Sequence, residues 1–299
     1  MQNGEFEVIA NEYLEEFLAM NPEWATLLGD HRFDDRLGDY SRAGMQASLE
    51  MEKRYLARLD GLDPVRLSPV NATDYAILRN RIEESIFALE ELREFEWNPL
   101  LYNVGGSIYG LLARDFAPEQ ERLRNLAGRL QAIPAVLAAA RENLVNPPRV
   151  HTETAILQNP GSIALIRDQL EGMLASYPDL RDEMQPVRDT AIAALEDYGN
   201  WLQTDLLPRS NGDFRLGEEK FRRKLAFTLH SDLSMEEILA RAESRLAETQ
   251  EALYETALPL YRSAHPDASD GELAARMSVI RDTLDRLAQD RPTDATIRG

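Results

Sequence analysis

Histidine has the widest chemistry of the side chains in this sequence, because imidazole can bind a metal ion and can transfer a proton near neutral pH. The four histidines are His31, His151, His230 and His265. A zinc site on a helix commonly uses two His four residues apart, and di-iron sites use a Glu three residues before a His. No His in the sequence has either neighbour. The spacing therefore predicts no metal centre on a helix of this chain.

Carboxylates close to two of these histidines are the remaining candidates for metal ligands. Asp34 and Asp35 follow His31, and Glu153 follows His151. The sequence holds 52 acidic residues, so such neighbours and many adjacent acidic pairs arise by coincidence. General acid–base catalysis would need one carboxyl group in a pocket with a raised pKa, which spacing does not indicate. We expect these carboxylates on acidic loops and solvated helix faces.

The segment 105–110, GGSIYG, is the most glycine-rich part of the chain. Tyr109 stands where a G-x-S-x-G nucleophile elbow needs glycine, and Leu111 stands where a phosphate-binding loop needs Lys. Glycine lets a backbone approach a ligand closely, so the segment, with Tyr102 just before it, could line a cleft. Close packing of helices is the expected explanation for the glycines, with ligand contact as the alternative.

The composition excludes several classes of function. The chain has 299 residues and a formal net charge of −19, which disfavours a nucleic-acid partner because such proteins need Lys and Arg to bind phosphates. It has no Cys, so disulfides, thiolate zinc sites, iron–sulfur clusters and cysteine nucleophiles are all ruled out. The one basic cluster, Arg222-Arg223-Lys224, is expected to form ion pairs within the molecule.

Neither the N-terminal residues nor any apolar run indicates export or membrane insertion. The first residues lack the basic and apolar regions of a signal peptide, and no uncharged run approaches the roughly 20 residues that a membrane span needs. We expect a cytoplasmic protein without a membrane partner, unless a leader was removed before Met1.

Helical periodicity covers nearly the whole sequence, and no run of alternating β-branched residues predicts a strand. The clearest apolar stripe predicts a helix over residues 71–95, and a second stripe predicts that the longest helix begins at Ser234. Core-facing sides of a helical bundle are the expected role of both stripes, with coiled-coil seams as the alternative. The first stripe consists of Tyr75, Leu78, Ile82, Ser85, Leu89 and Leu92, and the second of Leu239, Ala242, Leu246, Thr249, Leu253, Ala257 and Leu260.

Capping boxes and prolines predict the remaining helix boundaries. Ser234 with Glu237 and Ser269 with Glu272 each form the sequence pattern of a capping box that begins a helix. Proline predicts a break or kink at residue 134, an interruption at 159–161 and a start or kink near 186. Residues 207–217 are the clearest loop. The chain is predicted to be a single all-α unit of about ten to twelve helices over residues 1–299, with no significant sheet.

An ordered set of short motifs resembles the bacterial family called domain of unknown function 885. The motifs are NPEWATLLGD at 21–30, LGDYS at 37–41, DYAIL at 74–78, LLP at 206–208, GDFRLGEEKF at 212–221, LSMEEI at 233–238 and DRPT at 290–293. No single motif is diagnostic, but their order and spacing are similar to the N-terminal half of that family over nearly the whole chain.

This resemblance implies a two-lobed, mostly helical protein almost twice as long. The family is similar to zinc peptidases of the thimet-oligopeptidase and Taq-carboxypeptidase type, whose HExxxGH-type zinc motif lies in the second half. The chain would then be the N-terminal lobe that walls a peptide cleft, with zinc and all catalytic residues outside it. No catalytic or metal-binding residue is therefore assigned here, and the chain alone is expected to be inactive. Candidate contacts with a peptide substrate are Tyr102, Tyr109 and Arg215.

Two further expectations depend on the chain being part of a longer protein. Thr293-Asp294 resembles the cap of a further helix, which would continue beyond Gly299. A surface meant for the other lobe would be exposed and apolar, so the chain is expected to self-associate. The alternative is a complete, non-catalytic helical scaffold or binding module.

Overall fold

The structure is a computed structural model that describes residues 2–231 and 233–289. These residues form twelve helices and no strand, which confirms the predicted all-α fold. The helices are α1 (Gln2–Met20), α2 (Pro22–Leu28), α3 (Arg42–Asp60), α4 (Pro69–Phe87), α5 (Gly105–Ala113), α6 (Glu119–Asn143), α7 (Arg149–Ala164), α8 (Pro178–Trp201), α9 (Glu218–Leu229), α10 (Met235–Ala264), α11 (Asp270–Ala274) and α12 (Arg276–Leu287). The predicted cap at Thr293-Asp294 and the DRPT motif lie outside the described residues.

Three of these helices continue without a break into wider π-helical turns. The turns are Ala88–Leu92 after α4, Leu165–Leu170 after α7 and Leu202–Leu206 after α8. After the last two, single α-helical turns follow at Glu171–Leu174 and Leu207–Arg209. Short 3₁₀ turns occur at His31–Phe33, Pro64–Arg66, Glu94–Glu96 and Pro99–Tyr102.

The chain divides into two compact units, one ending at His230 and the other beginning at Ser231. Two apolar clusters form the core of the first unit. One cluster gathers buried side chains of α1, α3 and α4, and the other gathers those of α5 to α8. The second unit contains α10 to α12 around a small core of Ala257, Tyr261, Val279 and Ile280. The sequence, which has no low-complexity linker, carries no sign of this division.

Serine caps begin several helices as the sequence predicts. The hydroxyls of Ser234 and Ser269 accept backbone N–H groups of Glu237 and Glu272, and both glutamates accept the cap's own N–H in return. Each such cap stabilises its helix by about 1 kcal/mol, because it satisfies N–H groups that the helix leaves unpaired. Both predicted capping boxes are therefore present.

Proline does not interrupt the helices at the predicted places. Pro134 lies within α6, Pro186 lies within α8, and α7 continues through Pro160. The predicted interruption at residues 159–161 is wrong. Residues on both sides of Pro160, such as Ala155 and Ile166, are buried in the core, and their packing outweighs the roughly 3 kcal/mol that an internal proline costs.

The two predicted apolar stripes differ in how far their residues are buried. In the first, Tyr75, Ile82 and Ser85 are buried on α4, and the helical run ends at Leu92, where Arg93 takes a positive φ of 48°. In the second, the large residues of α10 are exposed, and only Ala257 reaches the core of its unit. The exposed residues are Leu239, Leu246, Leu253 and Leu260. A core-facing role for these four leucines is therefore wrong within the described residues.

One smaller boundary also differs from the sequence prediction. Helix α8 and its continuation reach Arg209, so the predicted loop over residues 207–217 begins at Ser210. Among residues 2–231 and 233–289, no helix combines the length and apolarity that crossing a membrane requires.

Candidate ligand groove

Two adjoining cavities in the first unit form a candidate ligand site. Cavity A has a volume of about 380 Å³ and lies against α2, α5 and α6. Cavity B has a volume of about 760 Å³ and extends along α1, α3 and the end of α4. Both volumes lie in the range of small-ligand sites. The cavities share five lining residues, which are Glu23, Trp24, Tyr40, Leu101 and Tyr102. We call the two cavities together the aromatic groove.

Aromatic side chains line this groove along its whole length. They are Phe17, Trp24, Tyr40, Phe87, Phe95, Tyr102 and Tyr109. At the mouth of cavity A, Trp24 is 53% exposed and Tyr109 is 55% exposed. Leu27, Leu28 and Leu101 are also exposed beside them. An exposed apolar patch around a concavity is typical of a binding site.

A buried arginine holds the floor of cavity A together. Arg129 of α6 is 1% exposed, and its guanidinium donates to the carbonyl oxygens of Asp34 (2.7 Å) and Ser107 (2.9 Å) and to the hydroxyl of Thr26. Thr26 belongs to α2 and Ser107 to α5, so one side chain joins three segments. Burial lowers the pKa of Arg129, while the negative charges of Glu23 and Asp34 act in the opposite direction.

The wall between the cavities is a second hydrogen-bonded cluster. The Glu23 carboxylate accepts the N–H of Gly38 at 3.1 Å and the hydroxyl of Tyr40 at 3.3 Å. Asn143 donates to the Tyr40 carbonyl oxygen at 2.8 Å and to the Tyr102 hydroxyl at 3.0 Å. Burial raises the pKa of both phenols, so they stay neutral and act as fixed polar groups rather than as acids.

The glycine-rich segment is open to the groove at two positions and closely packed at a third. A Cβ atom added at Gly106 or Gly110 would meet nothing within 4 Å, and both residues line cavity A. A Cβ atom at Gly105 would lie 2.8 Å from the hydroxyl oxygen of Ser162. Both explanations considered for these glycines therefore apply, each at a different residue.

The three residues proposed from the sequence as peptide contacts lie in different surroundings. Tyr102 lines both cavities but is only 2% exposed, and its hydroxyl donates to the Phe95 carbonyl oxygen at 2.6 Å. Tyr109 lines cavity A at the surface. Arg215 lines neither cavity; it pairs with Asp213 at 3.2 Å and lies over the ring of Phe214.

Sequence reasoning did not single out two groove residues that matter chemically. Trp24 lies in α2 within the NPEWATLLGD motif, whose apolar pattern does not show which side faces solvent. Arg114 follows α5 directly and lines cavity A. Its only sequence signal is its position just after the glycine-rich segment.

The described residues do not fit a metal ion. Among residues 2–231 and 233–289, no three His, Asp or Glu side chains gather in a group that could hold one. His31 Nδ1 lies 3.0 Å from the Asp34 carboxylate, but that carboxylate also accepts the Thr26 hydroxyl. Near His151, Glu153 instead pairs with Arg149 at 2.8 Å.

The basic cluster on α9 forms the ion pairs expected from the sequence. Arg222 pairs with Glu218 of the same helix, and Arg223 pairs with Glu91. Lys224, which lines cavity B, lies 3.3 Å from the Glu94 carboxylate.

Two curated kinases are similar to part of this chain. Two dephospho-CoA kinases, from two strains of Thermus thermophilus, are each 31% identical over 128 residues. That similarity covers 42% of this chain and 63% of each kinase, so the chain spans less than two thirds of these curated relatives. No lysine of this chain follows a glycine, so the G-x-x-x-x-G-K-[ST] phosphate-binding motif is absent from the sequence.

A solved structure and a family model cover nearly the whole chain. A candidate lipoprotein of unknown function from Shewanella oneidensis has the same fold, with a TM-score of 0.78 and 24% identity. The similarity covers 96% of this chain and 53% of that protein, so the chain spans about half of its length. The model of the family described as "Bacterial protein of unknown function (DUF885)" matches residues 22–296. The chain therefore belongs to the DUF885 family of bacterial proteins.

Proposed function

We propose that this chain is the helical N-terminal lobe that walls the peptide cleft of a zinc-dependent peptidase. In this proposal the zinc ligands lie outside the 299 residues, and the chain contributes binding surface rather than catalytic groups. The aromatic groove is the observation that carries the proposal. It comprises two open cavities that share five lining residues, which suits an extended chain better than a single compact ligand.

The groove offers the two kinds of contact that a peptide needs. Aromatic rings along its length can cover apolar side chains of a peptide, and they lose little conformational freedom on binding. Polar groups beside these rings can bond to peptide N–H and C=O groups. Those lining cavity A include Asn103, Ser107 and the open backbone at Gly106 and Gly110.

The comparison with the solved structure supports the two-lobe part of the proposal. That protein is about twice as long as the matched region, so a second part exists in a protein with this fold. We propose that the corresponding part of the complete protein supplies the opposite wall of the cleft. Because the described residues do not fit zinc, the proposal assigns no catalytic step to this chain.

Calorimetric titration with short peptides tests the proposal. We expect a tripeptide with a C-terminal Phe to bind the 299-residue chain, and Trp24→Ala or Tyr109→Ala to weaken binding because each removes an exposed ring at the groove mouth. Leu157→Ala is a matched control, since Leu157 is an exposed apolar residue that lines neither cavity. Unchanged affinity in both groove variants would contradict a peptide-binding role for the groove.

A specific observation favours a second candidate function, that of an interaction module. The four exposed leucines of α10 repeat every seven residues, which is the spacing of a coiled-coil seam. We propose that two copies of the 299-residue chain associate through this stripe, with α10 packed against its counterpart. Light scattering tests this, with a dimer expected at tens of micromolar protein.

A further inference from the structure

We propose that Arg114 binds the free α-carboxylate of a peptide in cavity A. This inference rests on the proposed peptide-binding function of the groove and names the chemical group that one end of it recognises. Arg114 thereby takes the place of Arg215, which was one of the peptide contacts predicted from the sequence.

Arg114 is the arginine of cavity A whose side chain has no interaction partner among the described residues. Its side chain is exposed and lines the cavity, and it makes no ion pair, hydrogen bond or cation–π contact with any residue of 2–231 and 233–289. Arg129, the other arginine of this cavity, already donates to Asp34, Ser107 and Thr26. A ligand anion in cavity A can therefore gain a full guanidinium partner only from Arg114.

Packing and hydrogen bonds hold the backbone just before Arg114. Its backbone is extended, with φ −96° and ψ 130°, and it follows the last turn of α5 directly. The preceding residues Leu111 and Leu112 are buried, and the buried Arg122 donates to the carbonyl oxygens of both. The base of the Arg114 side chain is thus held at the edge of the cavity while its guanidinium remains available.

Carboxylate is the anion that fits this arrangement best. A guanidinium matches the two oxygens of a carboxylate with two parallel hydrogen bonds. A phosphate carries more charge and commonly needs several donors or a helix N-terminus, whereas Arg114 stands alone at a helix C-terminus. Trp24 and Tyr109 also line cavity A, so an apolar side chain next to the carboxylate would have aromatic rings to contact.

An α-carboxylate and an acidic side chain offer the same chemistry, so the test separates them. The probes are N-acetyl-Ala-Ala-Phe with a free carboxylate, its C-terminal amide, and N-acetyl-Asp-Ala-Phe amide. Calorimetry on the full 299-residue chain measures the affinity of each. We expect the free acid to bind about tenfold more tightly than its amide, since an exposed charge-assisted contact contributes on the order of 1.4 kcal/mol.

Substitution of the arginine should remove this preference selectively. We expect Arg114→Met to bind acid and amide equally, and Arg114→Lys to keep part of the difference as a point charge without the planar fork. Arg124→Met is the matched control, because Arg124 is also exposed and lines neither cavity. The acid-to-amide ratio of the wild-type chain should also fall as salt rises, because an exposed ion pair is screened.

Each other outcome overturns the inference in a recognisable way. Equal binding of acid and amide by the wild-type chain, or a preference that survives Arg114→Met, overturns it while leaving peptide binding intact. Binding of the Asp-containing amide as tight as that of the free acid shows side-chain recognition and overturns the α-carboxylate assignment. Failure of all three probes to bind overturns the proposed function together with this inference.

Discussion

Glu52 should make the first unit less stable as the pH rises above about 5. This glutamate of α3 is 3% exposed. Tyr13 donates to its Oε1 at 3.5 Å, and within the described part of the chain its buried Oε2 accepts no hydrogen bond. Burial raises the pKa of Glu52 to about 7, and the nearby Ser85 hydroxyl and the positive charge of Arg81 offset this effect only in part. The carboxyl group is therefore largely protonated in the folded protein at pH 6.

The size of the effect follows from the difference between the folded and unfolded pKa values. The folded value of about 7 lies above the ordinary glutamate value of 4.5, so the folded state binds the proton more tightly. The stability that this proton supplies is fully present below pH 4.5 and is lost as the pH rises to about 7. At 1.36 kcal/mol per pKa unit, the loss is about 3 kcal/mol.

Glu52→Gln isolates this contribution because a glutamine has the same shape and never ionises. We expect the variant to be more stable than wild type by up to about 3 kcal/mol at pH 8 and nearly equal to it at pH 5. Urea unfolding followed by tryptophan fluorescence measures this, since Trp24, Trp97 and Trp201 all lie in the first unit. Subtracting wild type from variant at each pH cancels the titration of all other groups.

A substitution on the exposed side of the same helix is the matched control. Glu50→Gln changes an exposed carboxylate of α3 and should leave the stability difference flat between pH 5 and pH 8. A stability difference for Glu52→Gln that does not change over this range would refute the reasoning. So would a variant that is less stable than wild type at pH 8.

Three further predictions concern the groove floor, the leucine stripe and catalysis. Arg129→Met should destabilise the first unit by about 3 kcal/mol in urea unfolding, because it leaves Asp34 buried without its cation; a loss under 1 kcal/mol would contradict its role in holding the floor. Leu246→Glu should convert a dimer to a monomer in light scattering, whereas Leu157→Glu, at an exposed leucine outside the stripe, should not; a dimer that persists in Leu246→Glu excludes the stripe. The 299-residue chain with added zinc should cleave no peptide above background in a fluorogenic assay, and robust zinc-dependent turnover would overturn the placement of catalysis outside it.

The helices were predictable from the sequence because their signals are local. Tyr75 and Ile82 are buried as the periodicity predicts. The pairs Ser234–Glu237 and Ser269–Glu272 cap their helices as the capping-box pattern predicts. The predicted helix break at proline was the exception, because a proline is a local signal whose effect is not local. The effect of Pro160 depends on what packs around it, and that packing comes from residues far away in the sequence.

The groove was only partly predictable because it is built from distant segments. The glycines at 105–110 allowed either explanation from the sequence, and in the structure Gly106 and Gly110 line cavity A beside Tyr109 whereas Gly105 is closely packed. Arg215 could not be excluded from the sequence, because an arginine looks the same whether it pairs with Asp213 or faces a ligand. The exposure of Leu246 and its neighbours on α10 could likewise not be predicted from the sequence, because an apolar stripe does not show which surface it packs against.

Arg114 and Arg129 line the same cavity but have different roles, because one is exposed and the other is buried. Arg129 lies in the interior, where an unpaired donor would be costly, and its guanidinium is therefore fully engaged in joining α2 to α5. Arg114 lies at the rim, where water satisfies its donors and no protein partner is needed. A buried cation keeps the cavity in shape before a ligand arrives, and an exposed one is free to exchange water for the ligand's charge. A groove that binds selectively needs both, because affinity gained at the rim is lost if the floor must first be ordered. Loss of Arg129 should therefore weaken all peptides alike, whereas loss of Arg114 should weaken only those with a free carboxylate.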